Sequence, residues 1–420
     1  MGRSVLDPAS LLAVLLLSAS AGAYQNAAVQ AAEAAMQRGD FPSAEKSLRA
    51  EVEAHPGDPW ALSLLGVALD NQKQLPEAEE FHRRAVALSP RSAEILNNYG
   101  THLWIAGQFD QAEISFAGAL AAAPSYFNAL FNLGVMATNT GHYERAHQVL
   151  ESALRQQPQN VDVLYRLAVV EEATRQWESA VMRLAQAAKL DPRRADIQKL
   201  LAVTTSELGA LDDASTAWDR YLKLQPNDDV ARRERGYTAA KMGKLEQATA
   251  ELEGYLARHP EDPVGHYELA QAERTVDLVQ AMQHLDKALA IQPDYLPARA
   301  ARGSLNYQEG KPESALPDLE LVASQQPDDV ANLDRLGQTY QALDRAADAV
   351  RVLRRAAGLA PDNSTTALHL GRALADAGQT KESQAVICLL YTSVLAGKLH
   401  RLGDGPHHLV PAERVGGRCV

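Results

Sequence analysis

The chain has 420 residues, 46% hydrophobic but only 5% aromatic, with a net charge of −12. A length of this order ordinarily divides into two or three globular domains. The acidic balance excludes nucleic acid as a partner, because a phosphate-binding surface needs clustered Lys and Arg.

In chain order, the first feature is the apolar run Leu11-Leu12-Ala13-Val14-Leu15-Leu16-Leu17, followed by the small residues Ala21-Gly22-Ala23 before Tyr24. This pattern reads as a secretory signal peptide over residues 1–23. The run is too short to make a stable membrane span. Export to the cell exterior or a bacterial periplasm is therefore expected. Both cysteines, Cys388 and Cys419, lie outside the regular part of the chain, which fits that compartment.

From residue 24 a period takes over. Pro56, Pro90, Pro124, Pro158, Pro192, Pro226, Pro260, Pro293, Pro327 and Pro361 are separated by eight intervals of 34 residues and one of 33. A beat of this length marks stacked supersecondary units and overrides the globular prior. Each unit has a tiny residue in its first half, as at Ala32, Gly66, Gly100 and Gly134. A second follows twelve positions later, as at Ala44, Ala78, Ala112 and Ala146. Between them a glycine often falls, at Gly39, Gly107, Gly141, Gly209, Gly243, Gly310 and Gly378. The unit is thus helix, glycine turn, helix, with proline just past the second helix. The small residues belong where the paired helices approach most closely.

Leu133-Gly134 with Ala146 and Pro158, and Leu336-Gly337 with Tyr340, Ala349 and Pro361, resemble the tetratricopeptide repeat. The resemblance extends over residues 24–387 as about eleven repeats. It implies an all-α fold, a right-handed α-solenoid of tandem helix-turn-helix units forming one continuous stack. The eighth unit departs by being one residue short, with Thr275-Val276-Asp277 in place of the turn glycine. Tyr221 and Tyr255 stand where the family prefers alanine. The short unit and Pro317 predict a bend or looser packing near residues 274–318.

After Ile387 the pattern stops in mid-helix. Cys388-Leu389-Leu390-Tyr391-Thr392-Ser393 resembles one reading frame of a transposase end sequence used in preparing DNA libraries. Residues 388–420 are therefore expected to be an aperiodic tail of chimeric or out-of-frame origin.

No pattern of catalytic, cofactor or metal residues emerges. No phosphate loop or nucleophile elbow is present in the sequence. The twelve histidines are scattered, and His142 and His147 are five apart, off any common helical face. The expectation is a non-enzyme without cofactor or metal. The family resemblance implies that the first helix of each unit lines a concave groove. In units three to five this places Asn97, Asn98, Thr101, Trp104, Phe131, Asn132, Tyr165 and Arg166 as candidate peptide contacts. Amides can bond an extended backbone while rings cover side chains. Packing between adjacent units is the competing role for Trp104, Phe131 and Tyr165. A later stretch, with Arg233, Lys241, Glu268, Arg274, Asp334, Arg335 and Arg372, is mixed in charge and lacks the spacing of the family's clamp for C-terminal carboxylates.

The expected function is a non-enzymatic scaffold holding a peptide or protein segment in its groove. The alternatives are the substrate-selecting arm of a larger enzyme, such as a glycosyltransferase, and an envelope assembly factor.

Overall fold

The computed structural model describes residues 26–388. The expected signal peptide, and the tail apart from Cys388, lie outside the described residues. Among the described residues the regular structure is entirely helical. The chain divides between Asn227 and Asp228 into two compact units.

The first unit contains α1 (Ala27–Gln37), α2 (Phe41–Ala54), α3 (Pro59–Asn71), α4 (Leu75–Leu88), α5 (Ala93–Ile105) and α6 (Phe109–Ala122). It continues with α7 (Phe127–Asn139), α8 (Tyr143–Gln156), α9 (Val161–Ala173), α10 (Trp177–Leu190), α11 (Ala195–Leu208) and α12 (Leu211–Leu224). The second contains α13 (Asp229–Lys241), α14 (Leu245–Leu256), α15 (Pro263–Glu273), α16 (Leu278–Ile291) and α17 (Leu296–Gln308). It ends with α18 (Pro312–Gln325), α19 (Val330–Ala342), α20 (Ala346–Leu359) and α21 (Ser364–Asp376). A further helical run begins at Thr380. Within each unit every helix packs on the next, and first helices of neighbouring repeats also meet, as α5 does with α7 and α7 with α9.

The turns follow directly from the sequence. All seven turn glycines have φ between 71° and 82°, the left-handed region that side chains disfavour. At Gly39 the geometry is a Schellman closure: Gly39 N donates to Met36 O and Asp40 N to Ala35 O, both at 2.9 Å. Three repeats place a non-glycine in the same conformation: Lys73, Arg175 and Asp344, at φ 59–61°. First helices are mostly started by side chains, as where Asp58 accepts from the Trp60 and Ala61 amides. The proline beat precedes these caps, so it separates one repeat from the next.

The small positions turn out to receive a side chain from the second helix. A Cβ built on Gly100 would lie 2.8 Å from the Phe116 ring. One on Gly134 would lie 2.5 Å from Leu150, and one on Gly303 2.8 Å from Leu319. Phe116, Leu150 and Leu319 are fully buried. Burying a leucine or phenylalanine of this kind stabilises the fold by about 1.5–3 kcal/mol. The glycine therefore opens a socket for the repeat's principal core residue. In the eighth repeat α15 stops at Glu273 and Asp277 caps α16, whereas α18 is helical from end to end with Pro317 inside it.

Candidate functional site

The eight groove candidates lie on α5, α7 and α9, three first helices stacked side by side. Asn97, Asn98, Phe131 and Arg166 are buried, while Thr101, Trp104, Asn132 and Tyr165 are half-buried. Phe131 stacks on Phe127 with ring centroids 6.1 Å apart, so its ring contributes packing. Trp104 and Tyr165 keep part of their surfaces open.

The amides are already linked to each other. Asn98 Nδ2 donates to Ser63 Oγ at 3.1 Å, and Asn132 Nδ2 to Asn97 Oδ1 at 3.0 Å. Thr101 Oγ1 donates to the Asn97 carbonyl at 3.0 Å. The two asparagine bonds tie repeat to repeat, while the Thr101 bond stays within α5. Asn132 retains its carbonyl oxygen for another donor.

Arg166 is the exception. It is 9% exposed, and its Nη1 is buried with no hydrogen-bond partner. The nearest acids are taken: Arg194 contacts Asp162 at 2.8 Å and Asp196 at 2.7 Å. Both guanidinium groups flank the Tyr165 ring, Arg166 at 5.8 Å and Arg194 at 5.6 Å from its centroid. Burial pushes Arg166 below its ordinary pKa, with too little neighbouring negative charge to offset it. A buried cation without a counter-ion is costly to the fold and ready for an incoming anion.

The second unit has its own concave feature, a cleft of about 360 Å³. It is lined by Ala300, Ala301 and Ser304 of α17, Tyr267 of α15, Arg274 at the C-cap of α15 and Arg335 of α19. Three small groove-facing residues in one repeat create this space, a signal readable in the sequence that the charge pattern overshadowed. Arg335 lies over the Tyr307 ring at 5.0 Å, and His369 Nδ1 is 2.9 Å from Asp334 Oδ2. Nearby, Arg233 Nη2 donates to Glu234 at 2.6 Å and Nη1 to Asp262 at 3.2 Å. Its Nε lies 3.2 Å from Glu268 Oε2, off the N–H direction. Three carboxylates share one cation, and burial pushes the innermost, Glu268, up to about 8.

Comparisons with known proteins place this architecture. Models described as tetratricopeptide repeat match residues 29–93, 98–161 and 233–295, and a second such model matches 137–203. A model of the Psidin N-terminal tetratricopeptide repeat region matches 275–397. Protein FlbA of Caulobacter vibrioides is 29% identical over 111 residues, 26% of this chain and 19% of FlbA. The chain thus spans about a fifth of the length of that curated relative. Among solved structures, yeast Tom70 aligns over 90% of this chain and 96% of its own at 14% identity, with a TM-score of 0.48. YrrB, described as having an unusual peptide-binding site, aligns over 44% and 97% at 21% identity, with a TM-score of 0.41.

Proposed function

The chain belongs to the tetratricopeptide-repeat family, a helical scaffold suited to protein–protein interaction, and from this premise we propose that it is an exported, non-enzymatic scaffold that captures an extended protein segment on α5, α7 and α9. The observation that carries the reading is Arg166: a buried guanidinium whose Nη1 has no hydrogen-bond partner among the described residues, beside a row of interlinked amides and two partly open aromatic rings. The bound segment presents a carboxylate to Arg166, lays its backbone along Asn132 and Thr101, and covers Trp104 and Tyr165 with apolar side chains. Export rests on the apolar run Leu11–Leu17 and the small residues Ala21–Ala23.

The test is selection from a random displayed-peptide library on the wild type and on Arg166→Met. Wild-type peptides are expected to be enriched in Asp, Glu or a free C-terminus and to weaken at least about tenfold on Arg166→Met, the loss of one charge-assisted contact. The variant should melt no lower than the wild type, because it removes an uncompensated buried charge. Equal capture by a folded Arg166→Met protein sinks the assignment.

A further inference from the structure

A second cluster of chemistry-bearing side chains lies inside the first unit, where α3, α4 and α5 meet. Asp70 comes from the last turn of α3, His82 from α4 and His102 from α5. Their exposures are 4%, 0% and 1%. His82 Nε2 is 2.9 Å from Asp70 Oδ2, and His102 Nδ1 is 2.6 Å from Asp70 Oδ1. The ligand-capable atoms of the three residues lie within 4.8 Å of one another. We propose that Asp70, His82 and His102 form a site for a divalent transition-metal ion, zinc by preference, built into the core of the second and third repeats.

The repeat register is the first argument. His82 occupies the socket position that Leu48, Phe116, Leu150 and Leu184 fill in neighbouring repeats. His102 stands where Ala68, Met136 and Val170 stand, and Tyr99 where Leu65, Leu133 and Leu167 stand. Three apolar core positions have thus become polar, and all three side chains converge on one spot: the His82 and His102 ring centroids are 5.0 Å apart and those of Tyr99 and His102 6.2 Å. Gly66 makes the room, since a Cβ there would sit 2.6 Å from His82 Nε2. Isolated polar drift into a packed core is destabilising, whereas joint replacement supplies a ligand set.

Charge is the second argument. Asp70 has no Lys or Arg partner among the described residues. Behind His102, Glu79 Oε2 lies 2.8 Å from Nε2, and Tyr99 donates its hydroxyl to Glu79 Oε1 at 3.0 Å. Among the described residues the Lys or Arg partner of Glu79 is Arg83, at 4.0 Å. Two carboxylates thus frame the imidazoles and call for positive charge between them. The Glu79 contact is close but off the N–H direction, so Glu79 adds negative charge beside His102 rather than a hydrogen bond to it.

The donor set decides the ion. Two imidazole nitrogens and one carboxylate oxygen, without thiolate, suit zinc and its borderline neighbours rather than calcium or magnesium. Zinc bonds of about 2.0–2.2 Å set tetrahedral ligand atoms roughly 3.3 Å apart, so the Asp70 contacts need to open by less than about 1 Å. The ligands come from two adjacent repeats, so a bound ion would clamp them together and keep a fourth position for water.

The experiment uses the full chain, stripped with chelator and titrated with Zn²⁺ during thermal unfolding, and with Co²⁺ during visible spectroscopy. One equivalent of Zn²⁺ is expected to raise Tm by about 5 °C or more, and Co²⁺ to develop a ligand-field band. His82→Leu installs the residue most repeats use there, so it should fold and lose both responses. Asp70→Asn, nearly isosteric, tests the same ligand set if His82→Leu fails to fold. The other group with ligand potential, His147, Glu151 and Glu171, is already bridged by Arg183. His147→Ala should therefore leave both responses intact. Absence of both responses in the wild type overturns the proposal. So does their persistence in His82→Leu or Asp70→Asn, or their loss in His147→Ala alone.

Discussion

The two compact units solve the same problem, buried carboxylates in helical repeats, with different bases. In the first, Asp70 faces two histidines. In the second, Asp318, 2% exposed, is gripped by Arg299 at 2.6 Å and by Arg302 at 2.7 and 3.0 Å. Guanidinium keeps its proton at every accessible pH, so the Asp318 bridge is permanent and its geometry fixed. The Asp70 carboxylate instead has one contact to each of two imidazoles, His82 at 2.9 Å and His102 at 2.6 Å. One repeat pattern therefore carries a guanidinium-held carboxylate in one unit and an imidazole-held carboxylate in the other.

The largest expected effect concerns pH. Glu268 is raised by burial to about 8, against roughly 4.3 in an unfolded chain. Between those values the folded unit holds a proton that the unfolded chain has released. Stability from this group is therefore complete below about pH 4 and is lost as pH rises to about 8, on the order of 5 kcal/mol. Glu268→Gln keeps the uncharged shape and should flatten this part of the pH profile, with a higher midpoint than wild type at pH 8. An unchanged profile would mean that Arg233 compensates the ionised carboxylate fully.

A smaller effect breaks the Asp318 bridge. Asp318→Ala leaves Arg299 on the Pro293 carbonyl and Arg302 on the exposed Asp286, and should cost roughly 3 kcal/mol. Asp70→Ala strands histidines that can become neutral and should cost less, roughly 1–3 kcal/mol. Denaturant unfolding of both variants decides the matter, and equal losses would erase the contrast between the units.

The smallest effect lies in the turns. Lys73→Gly and Arg175→Gly should each stabilise the chain by about 0.5–1 kcal/mol, because the left-handed turn no longer strains a Cβ. Asp344→Gly should gain less, since aspartate tolerates that conformation better. A loss of stability in all three would place the strain elsewhere.

Much of the local fold was legible. The proline period gave the repeat length, and the glycines gave the turns, all seven of them left-handed. The small residues marked the helix–helix approach, although only the structure revealed that each receives a second-helix side chain. The division at Asn227 and Asp228 left no mark, because the proline beat passes through Pro226 and Pro260 unchanged. A sequence period records the geometry inside each repeat, not where the chain divides into compact units.

The groove was legible as a set of positions and not as a set of roles. Register put Asn97, Asn132 and Arg166 on neighbouring helices, but nothing in their spacing said that the asparagines would bond each other while Arg166 Nη1 found no partner among the described residues. Nor did it gather Asp70, His82 and His102, which belong to three helices and two repeats. By itself, then, the sequence determined what is local and periodic: helix, left-handed turn, helix, and the socket between them. These depend on backbone preferences and side-chain size within some thirty residues. The tertiary structure decided which polar groups are buried and which find partners. That outcome depends on the distance between side chains from different repeats and on the charges already spent nearby, as Asp162 and Asp196 are on Arg194.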